Sequence, residues 1–143
     1  MDRILVTGAA GQIGSELVPA LRAAFGKENV IAAGHQTPLP LDIQDSGPCT
    51  YVDVTKYEEV ESAIKQYDID TIYHLGSILS ALAEQRRQYG YQVNFDGLYN
   101  VLEAALRNEL ERVMVPSSIA AFGPETPPEN LDHPRPPCPT KTN

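Results

Sequence analysis

Short apolar runs alternate with amphipathic segments along this chain. Residues 4–7 form an apolar run that predicts a strand, and apolar side chains then recur at helical spacing from Gln12 until Gly26 offers a stop. The alternation continues to residue 116. The predicted strands are residues 4–7, 29–33, 51–54, 70–75 and 112–116.

Two further helices are predicted between these strands. Thr55 is a suitable N-cap for a helix that carries Tyr57, Val60, Ile64 and Tyr67. A long helix is predicted after a leading segment at residues 80–89. One face of this helix is apolar and serves as core or as a subunit interface. That face consists of Val93, Leu98, Val101, Leu102, Ala105 and Leu106. Residues 34–50, rich in proline and glycine, predict a surface connection without a regular element.

Apolar strands separated by amphipathic helices predict an α/β fold with a doubly wound (Rossmann) parallel sheet in the strand order 3-2-1-4-5. The loops at the carboxyl ends of the strands are expected to form the site. Residues 1–123 are the predicted dinucleotide-binding domain, and residues 124–143 a Pro-rich irregular tail. Eight of the twelve prolines lie in residues 116–143. Because proline breaks helices and central strands, the regular fold is expected to stop there.

Composition narrows the function classes. A chain of 143 residues is the size of one domain, and its formal net charge of −8 argues against nucleic acid as the main partner. Neither a signal peptide nor a membrane span is visible, which predicts a cytoplasmic protein without a membrane partner. Cys49 and Cys138 lack a CxxC spacing, so reduced thiols are expected and no metal site is predicted.

The strongest chemical signal is the glycine loop at residues 8–14, which follows the first strand and opens the first helix. Gly8, Gly11 and Gly14 allow a sharp turn, a close approach of the backbone to a pyrophosphate, and close helix–strand packing. The free N–H groups and the dipole of the helix then attract the anion. A structural turn is the alternative, but the strand before and the helix after favour a nucleotide-binding loop.

Five segments together carry a resemblance to a known family. They are residues 7–14, 53–54, 74–76, 93–94 and 116–118. With them the chain resembles the extended short-chain dehydrogenase/reductase superfamily, in its NAD-dependent epimerase/dehydratase branch. Residues 11–17, 78–81 and 116–127 look more particularly like the L-threonine 3-dehydrogenases of the short-chain type.

The resemblance implies roles for individual residues. Gly8, Gly11, Gln12, Ile13 and Gly14 would hold the cofactor pyrophosphate. Asp53 and Val54 would lie against the adenine, while Leu75, Gly76 and Ser77 would border the adjacent ribose. Asn94 would sit near the active site, Ser118 would be the catalytic residue that hydrogen-bonds the substrate oxygen, and Ser80 would lie near the bound amino acid. His74 is expected to be a packed side chain and not a general base.

The reaction that the resemblance implies is the NAD-dependent oxidation of L-threonine to 2-amino-3-oxobutanoate, so the small-molecule substrate would be an amino acid. The resemblance also implies a homodimer, formed through the helix that carries Tyr99, Leu102 and Leu106. The alternatives are a nucleotide-sugar epimerase or dehydratase, and a non-catalytic NAD(P)-binding module.

The chain departs from the family pattern in two places. A carboxylate about 20 residues beyond the glycine loop normally accepts the ribose 2′-OH of NAD, but Gly34 occupies that place, so NADP is not excluded. The family's base is a tyrosine followed four residues later by a lysine, and no tyrosine occurs after Tyr99. Pro137 stands four residues before Lys141. We therefore expect a C-terminally truncated chain that lacks the last strand and the substrate domain, binds a dinucleotide weakly and shows no turnover alone.

Overall fold

Five parallel strands form a single sheet in the order β3-β2-β1-β4-β5, which confirms the predicted doubly wound topology. The computed structural model describes residues 3–78 and 80–118, with the backbone alone over residues 80–82. The strands are β1 (Ile4–Thr7), β2 (Val30–Gly34), β3 (Cys49–Tyr51), β4 (Thr71–His74) and β5 (Arg112–Met114). Thr7 lies opposite Ala33 and His74, so β1, β2 and β4 end at the same edge of the sheet.

Helices connect the strands. They are α1 (Gln12–Phe25), α2 (Leu41–Ser46), α3 (Tyr57–Tyr67), α4 (Ser80–Gln85), α5 (Arg87–Tyr91) and α6 (Gly97–Arg107), with a 3₁₀ turn at Lys27–Asn29 and a π-helical turn at Gln92–Asp96. Gly26 ends α1 with a φ of 93° and donates its backbone N–H to the carbonyl of Arg22. This confirms the predicted stop, because a positive φ favours glycine.

The prediction of no regular element between residues 34 and 50 is wrong. Helix α2 lies there, and β3 begins at Cys49. Pro40 stands at the N-cap of α2, where its φ of −53° suits the entry to a helix and its missing N–H has no consequence. The prolines therefore flank this helix and do not interrupt it, and Ile43 anchors it in the core.

The third strand begins and ends earlier than predicted. Its paired register with β2 stops at Tyr51 opposite Gly34, and a last backbone bond from Val52 N–H to Gly34 O at 2.9 Å ends the contact. Thr55 does not cap α3, since its hydroxyl donates to Asp53 Oδ1 at 2.7 Å and Lys56 takes the N-cap position. Strands β2, β4 and β5 match their predicted bounds to within two residues.

The predicted long helix is α6, preceded by α4, α5 and the π-helical turn. Its predicted apolar face divides into two. Val101 and Ala105 are buried, whereas Leu102 and Leu106 are 47% and 76% exposed. One row of side chains therefore packs on the sheet, and the neighbouring row faces outward.

The core consists of two groups of buried side chains. The α1 cluster comprises Ile4, Val6, Ala9, Val18, Leu21, Val30, Ala32, Leu39 and Ile43. The α3–α6 cluster comprises Leu5, Ile31, Ala33, Val52, Val54, Val60, Ala63, Ile64, Ile69, Ile72, Val101 and Ala104. Successive residues of β1 and β2 alternate between the two clusters, because neighbouring side chains of a strand point to opposite faces. Both faces of the sheet are thus covered, as a parallel sheet requires.

A buried guanidinium joins α1 to α2. Arg22 donates to the backbone carbonyls of Val30, Ile43 and Pro48 at 3.3, 2.6 and 2.7 Å, and to Ser46 Oγ at 2.7 Å. These acceptors satisfy the buried donors of Arg22 without a carboxylate and hold α2 next to α1 and to the residues that enter β2 and β3. In the described part of the chain, no helix has the length and apolar character needed to cross a membrane.

Candidate functional site

A cavity of about 360 Å³ opens at the carboxyl ends of β1, β2 and β4. The chain connections from β1 and β4 leave in opposite directions along the sheet at this edge, which makes it the topological switch point where doubly wound folds bind ligands. The walls come from the glycine loop, the ends of β2, β3 and β4, and the segment from Arg86 to Val93. The lining residues are Gly8, Ala10, Gly11, Gly34, His35, Gln36, Thr37, Val52, Asp53, Val54, Leu75, Gly76, Ser77, Ile78, Arg86, Tyr89 and Val93.

The glycine loop is built so tightly that side chains are excluded from it. Gly8 has a φ of 69°, and a Cβ there would lie 2.7 Å from the carbonyl carbon of Leu75. A Cβ on Gly14 would lie 2.6 Å from the Cα of Ala9. The first glycine therefore permits the turn against β4, and the last permits α1 to begin directly behind the loop.

The amino end of α1 points its free backbone groups toward this loop. Gly11 is the N-cap and has no side chain to cap the helix. The first intrahelical bond runs from Ser15 N–H to Gly11 O at 2.9 Å, so the N–H groups of Gln12, Ile13 and Gly14 precede it. Backbone donors and the positive end of the helix dipole together suit an anion such as a pyrophosphate.

Asp53 is held in a fixed orientation on the wall behind β3. Its Oδ1 accepts the backbone N–H and the hydroxyl of Thr55 at 3.0 and 2.7 Å, and its Oδ2 lies 3.6 Å from both His35 Nε2 and Lys56 Nζ. Partial burial raises the pKa of the Asp53 carboxyl, but the Thr55 hydrogen bonds and the neighbouring cations outweigh it and hold the pKa below its usual value. Asp53 is therefore a charged acceptor at neutral pH.

The ring of His74 is buried and is not among the residues that line the cavity, so it is not placed to act as a base there. Its Nδ1 shares a hydrogen bond with Thr7 Oγ1 at 2.8 Å, while Thr7 Oγ1 also accepts the backbone N–H of Gly76 at 3.4 Å. Burial lowers the pKa of His74 to about 4. A neutral ring with a structural partner supports the expectation of a packed side chain.

Asn94 holds the loop after β4 in place at Ile78. Its Oδ1 accepts the backbone N–H of Ile78 at 2.7 Å, and its Nδ2 donates to the carbonyl of Ile78 at 2.9 Å. Asn94 is at the centre of the π-helical turn Gln92–Asp96. Such turns widen a helix by one residue and occur often at functional sites. Here the turn lets an exposed side chain clamp the backbone of a cavity residue.

The structure brings together seven of the predicted site residues in the cavity wall. These are Gly8, Gly11, Asp53, Val54, Leu75, Gly76 and Ser77. Gln12, Ile13 and Gly14 form the part of the loop that opens α1 and are not among the lining residues described, and Asn94 acts through Ile78. Ser118 is exposed, four residues beyond the end of β5, and is not among the lining residues described.

Several predicted features lie outside the described residues. The backbone of Ser80 begins α4, but its side chain is outside them, as are Pro137, Lys141 and the whole tail at 124–143. Within residues 3–78 and 80–118, no group of three His, Cys, Asp or Glu side chains is placed to hold a metal ion.

Ten of the lining residues described were not predicted as site residues, among them Thr37, Ile78, Arg86 and Tyr89. Thr37 lies in the connection after β2, and Ile78 follows β4. Arg86 and Tyr89 reach the cavity from the break between α4 and α5 and from α5 itself. In the sequence, the feature that could have indicated this part of the cavity wall is the pair of adjacent basic residues Arg86 and Arg87.

The comparisons with known proteins agree with this geometry. Residues 4–143 match the model of the NAD dependent epimerase/dehydratase family. An uncharacterized epimerase/dehydratase of Staphylococcus epidermidis is 41% identical over 130 residues, which cover 91% of this chain and 41% of that protein.

Two solved structures show the same fold. The L-threonine dehydrogenase of Clostridium difficile is 42% identical with a TM-score of 0.80, over 95% of this chain and 44% of the other. The UDP-glucose 4-epimerase of Thermus thermophilus, solved in complex with NAD, is 27% identical with a TM-score of 0.78, over 94% of this chain and 44% of the other. The chain thus spans less than half the length of these relatives.

Proposed function

The chain belongs to the NAD dependent epimerase/dehydratase family, and from that membership we propose that its cavity binds NAD as the cofactor-binding part of an oxidoreductase. The observation that carries the proposal is the glycine loop. Gly8 at a φ of 69° and Gly14 against Ala9 leave no room for a Cβ, so the backbone itself forms a cradle at the start of α1. Such a cradle binds a pyrophosphate through backbone N–H groups.

The residues present fit a dinucleotide. Gly8, Gly11, Gln12, Ile13 and Gly14 would hold the pyrophosphate. Asp53 and Val54 would contact the adenine, and Leu75, Gly76 and Ser77 the adjacent ribose. NAD, when bound, supplies the hydride acceptor. The protein supplies position, and the bonds from Asn94 to Ile78 and from Gly76 to Thr7 hold one wall of the cavity in place.

Within this class we propose the oxidation of L-threonine to 2-amino-3-oxobutanoate. The support is the similarity to L-threonine dehydrogenases at 42% identity, together with the likeness of residues 78–81 and 116–127 to that group. Ser118 would hydrogen-bond the substrate hydroxyl, and Ser80 would lie near the amino acid. An amino acid would then be the small-molecule partner.

The 143 residues contain no tyrosine after Tyr99 that could act as the base. Removal of the hydroxyl proton needs a side chain tuned to titrate near the working pH, and an unperturbed tyrosine titrates near pH 10. We therefore expect NAD binding without turnover from this chain alone.

Two measurements on the chain test the proposal. Thermal unfolding should shift upward with added NAD⁺, because a ligand that binds only the folded state stabilises it. NADH formation with L-threonine should remain at background. An unchanged melting temperature at high NAD⁺ would contradict cofactor binding, and a robust rate would show that another group acts as the base.

A nucleotide-sugar epimerase or dehydratase is the second candidate. Its support is the similarity to the UDP-glucose 4-epimerase and to the epimerase/dehydratase of S. epidermidis. Substrate turnover by a full-length version of this chain separates the two. Threonine-dependent NADH formation supports the dehydrogenase, whereas interconversion of UDP-sugars without net NADH supports the epimerase. A non-catalytic module would bind NAD and show neither reaction.

A further inference from the structure

A second cavity of about 360 Å³ adjoins the proposed dinucleotide cavity, on the segment that leads from α4 into the π-helical turn. Each of its described lining residues has a side chain that can donate a hydrogen bond, and none of them is acidic. Four of the five are exposed, so the cavity is open to solvent. We call this cavity the arginine pocket. Its lining residues are Arg86, Arg87, Gln88, Tyr89 and Gln92.

The two arginines of this pocket have no acidic partner in the described part of the chain. Glu84 is the nearest carboxylate along the sequence, yet no described ion pair involves Arg86 or Arg87. Apart from Arg112 on β5, the other described lysines and arginines pair with a carboxylate or donate to backbone carbonyls. These are Arg3, Arg22, Lys27, Lys56, Lys65 and Arg107. Two uncompensated cations therefore line one cavity of a chain whose formal net charge is −8.

The chemistry of this lining suits a phosphate group. A phosphate monoester has three terminal oxygens and a charge between about −1.5 and −2 near pH 7, so it can accept from two guanidiniums and from neighbouring amides. A carboxylate has two oxygens and a single negative charge, which would leave one arginine without a counter-charge. Because the chain as a whole is acidic, a small phosphate compound also fits better than a nucleic acid.

We infer that the arginine pocket is a binding site for a phosphate-bearing small molecule, separate from the glycine loop. Arg87, Gln88 and Gln92 are described lining residues of this pocket and not of the dinucleotide cavity, whereas both cavities share Arg86 and Tyr89. A phosphate held by Arg86 adds negative charge beside the dinucleotide cavity. The phosphate compound and NAD are therefore expected to weaken each other's binding. This coupling rests on the proposed function, but the phosphate site does not.

Titration of the isotopically labelled chain with inorganic phosphate, followed by NMR at about pH 7 and constant ionic strength, tests the phosphate site. The backbone amide signals of Arg86 and Arg87 should shift and saturate, with a Kd in the low millimolar range, as for an exposed site with two charge-assisted contacts. Arg87→Gln removes one of these contacts and should raise the Kd at least about fivefold. Arg112→Gln is the matched control, because it removes another exposed arginine without a carboxylate partner, and it should leave the Kd unchanged.

Both variants change the net charge equally, so a difference between them reports the pocket itself. Equal Kd values in Arg87→Gln and Arg112→Gln, or shifts that do not saturate, would overturn the inference, since a diffuse ion atmosphere produces them. Glycerol 3-phosphate identifies the source of the phosphate group. Tighter binding than inorganic phosphate indicates a phosphate ester as the ligand, and otherwise the ligand is the free ion.

Calorimetric titration of NAD⁺ with and without saturating phosphate, at matched ionic strength, measures the coupling. The Kd for NAD⁺ should rise about twofold to fivefold with phosphate in the unmodified chain and in Arg112→Gln, but not in Arg87→Gln. An unchanged Kd in all three proteins contradicts the coupling and leaves the phosphate site intact. If the folded chain does not bind NAD⁺ at all, the proposed function fails, while the phosphate titration still decides the arginine pocket.

Discussion

At the scale of single residues, Gly14 has the least room of the loop glycines. A Cβ there would meet the carbonyl oxygen of Gly8 and lie 2.6 Å from Ala9 Cα, both backbone atoms that cannot rotate away. We expect Gly14→Ala to lower the free energy of unfolding by about 1–3 kcal/mol, as overpacking does. NAD⁺ affinity should fall more than about tenfold, because α1 would move away from the loop.

Gly11→Ala is the matched control. Its Cβ would lie 3.2 Å from Gly8 O, a contact that small shifts relieve. Urea unfolding and calorimetric titration of both variants should rank Gly14→Ala as clearly the more damaging. Equal stability and affinity in Gly14→Ala and the unmodified chain would show that the loop is looser than described.

His74 should make the protein less stable in acid. Burial lowers its pKa from 6.5 to about 4. Above pH 6.5 the ring is neutral in both states, whereas between pH 6.5 and 4 only the unfolded chain binds the proton. Stability therefore falls as the pH drops through this window, by about 3 kcal/mol in full.

The substitution His74→Asn isolates this effect. An asparagine amide reaches the position of Nδ1 and keeps a hydrogen bond to Thr7, but it does not titrate. The free energy of unfolding of this variant, measured by urea from pH 7 to pH 4, should decline less steeply than that of the unmodified chain. Carboxylates such as Asp53 and Glu59 contribute equally to both curves. Parallel curves would rule out His74 as the source.

At the scale of elements, the clamp between the π-helical turn and the loop after β4 is expected to matter more for binding than for folding. Asn94 is exposed, yet it makes two bonds to the backbone of Ile78. Asn94→Ala should change the free energy of unfolding by less than about 1 kcal/mol. NAD⁺ affinity should fall about threefold to tenfold, since one or two hydrogen bonds that order the loop are lost.

Asn94→Asp is the partial variant, because its carboxylate still accepts the N–H of Ile78 but cannot donate to the carbonyl. It should be intermediate in affinity. Hydrogen exchange at the Ile78 amide gives an independent measurement, with faster exchange expected in Asn94→Ala. Unchanged exchange and affinity in both variants would mean that the loop holds its shape without the clamp.

Most elements were predictable from local pattern, including four of the five strands, whereas the bounds of β3 and the presence of α2 were not. The turn from β1 into α1 follows from glycines within a few residues of one another. The end of β3 depends on where β2 stops pairing, at Gly34 opposite Tyr51, and the apolar residues after Tyr51 have the same pattern whether or not they pair. Helix α2 was missed because Pro40 and Gly47 flank it so closely that only six residues lie between them.

The same contrast applies to the cavity, where features set by adjacent residues were predicted and features set by distant segments were not. Its glycine-loop wall was predicted from adjacent residues and a family resemblance. Arg86 and Tyr89 reach the cavity only because the segment after β4 breaks into α4 and α5, a break that no single residue type announces. The interaction of His35 with Asp53 likewise depends on the distance between two strand ends.

At the scale of the whole molecule, an apolar face that no other described residue covers predicts self-association. The outer face consists of Tyr91, Phe95, Tyr99, Leu102 and Leu106, which are 47–76% exposed. The rings of Tyr91 and Phe95 stack with centroids 5.0 Å apart. Contiguous apolar surface of this kind commonly marks an interface, which agrees with the homodimer expected from the family resemblance.

The double variant Tyr99→Glu/Leu106→Glu should shift the chain from a dimer to a monomer in sedimentation velocity, while its circular dichroism spectrum stays that of a folded protein. Leu41→Glu is the matched control, because Leu41 is 75% exposed, close to the 76% of Leu106, but lies on α2. Equal sedimentation of the unmodified chain and the double variant would contradict a dimer through the outer face.

The two core clusters differ in how far along the chain their members lie, and this has a consequence for the order of folding. All buried members of the α1 cluster fall between residues 4 and 43, whereas the α3–α6 cluster extends from Leu5 to Ala104. Short loops close at lower entropic cost and sooner than long ones. During synthesis, the face of the sheet behind the glycine loop can therefore assemble as soon as α2 has emerged. The opposite face must wait for α6.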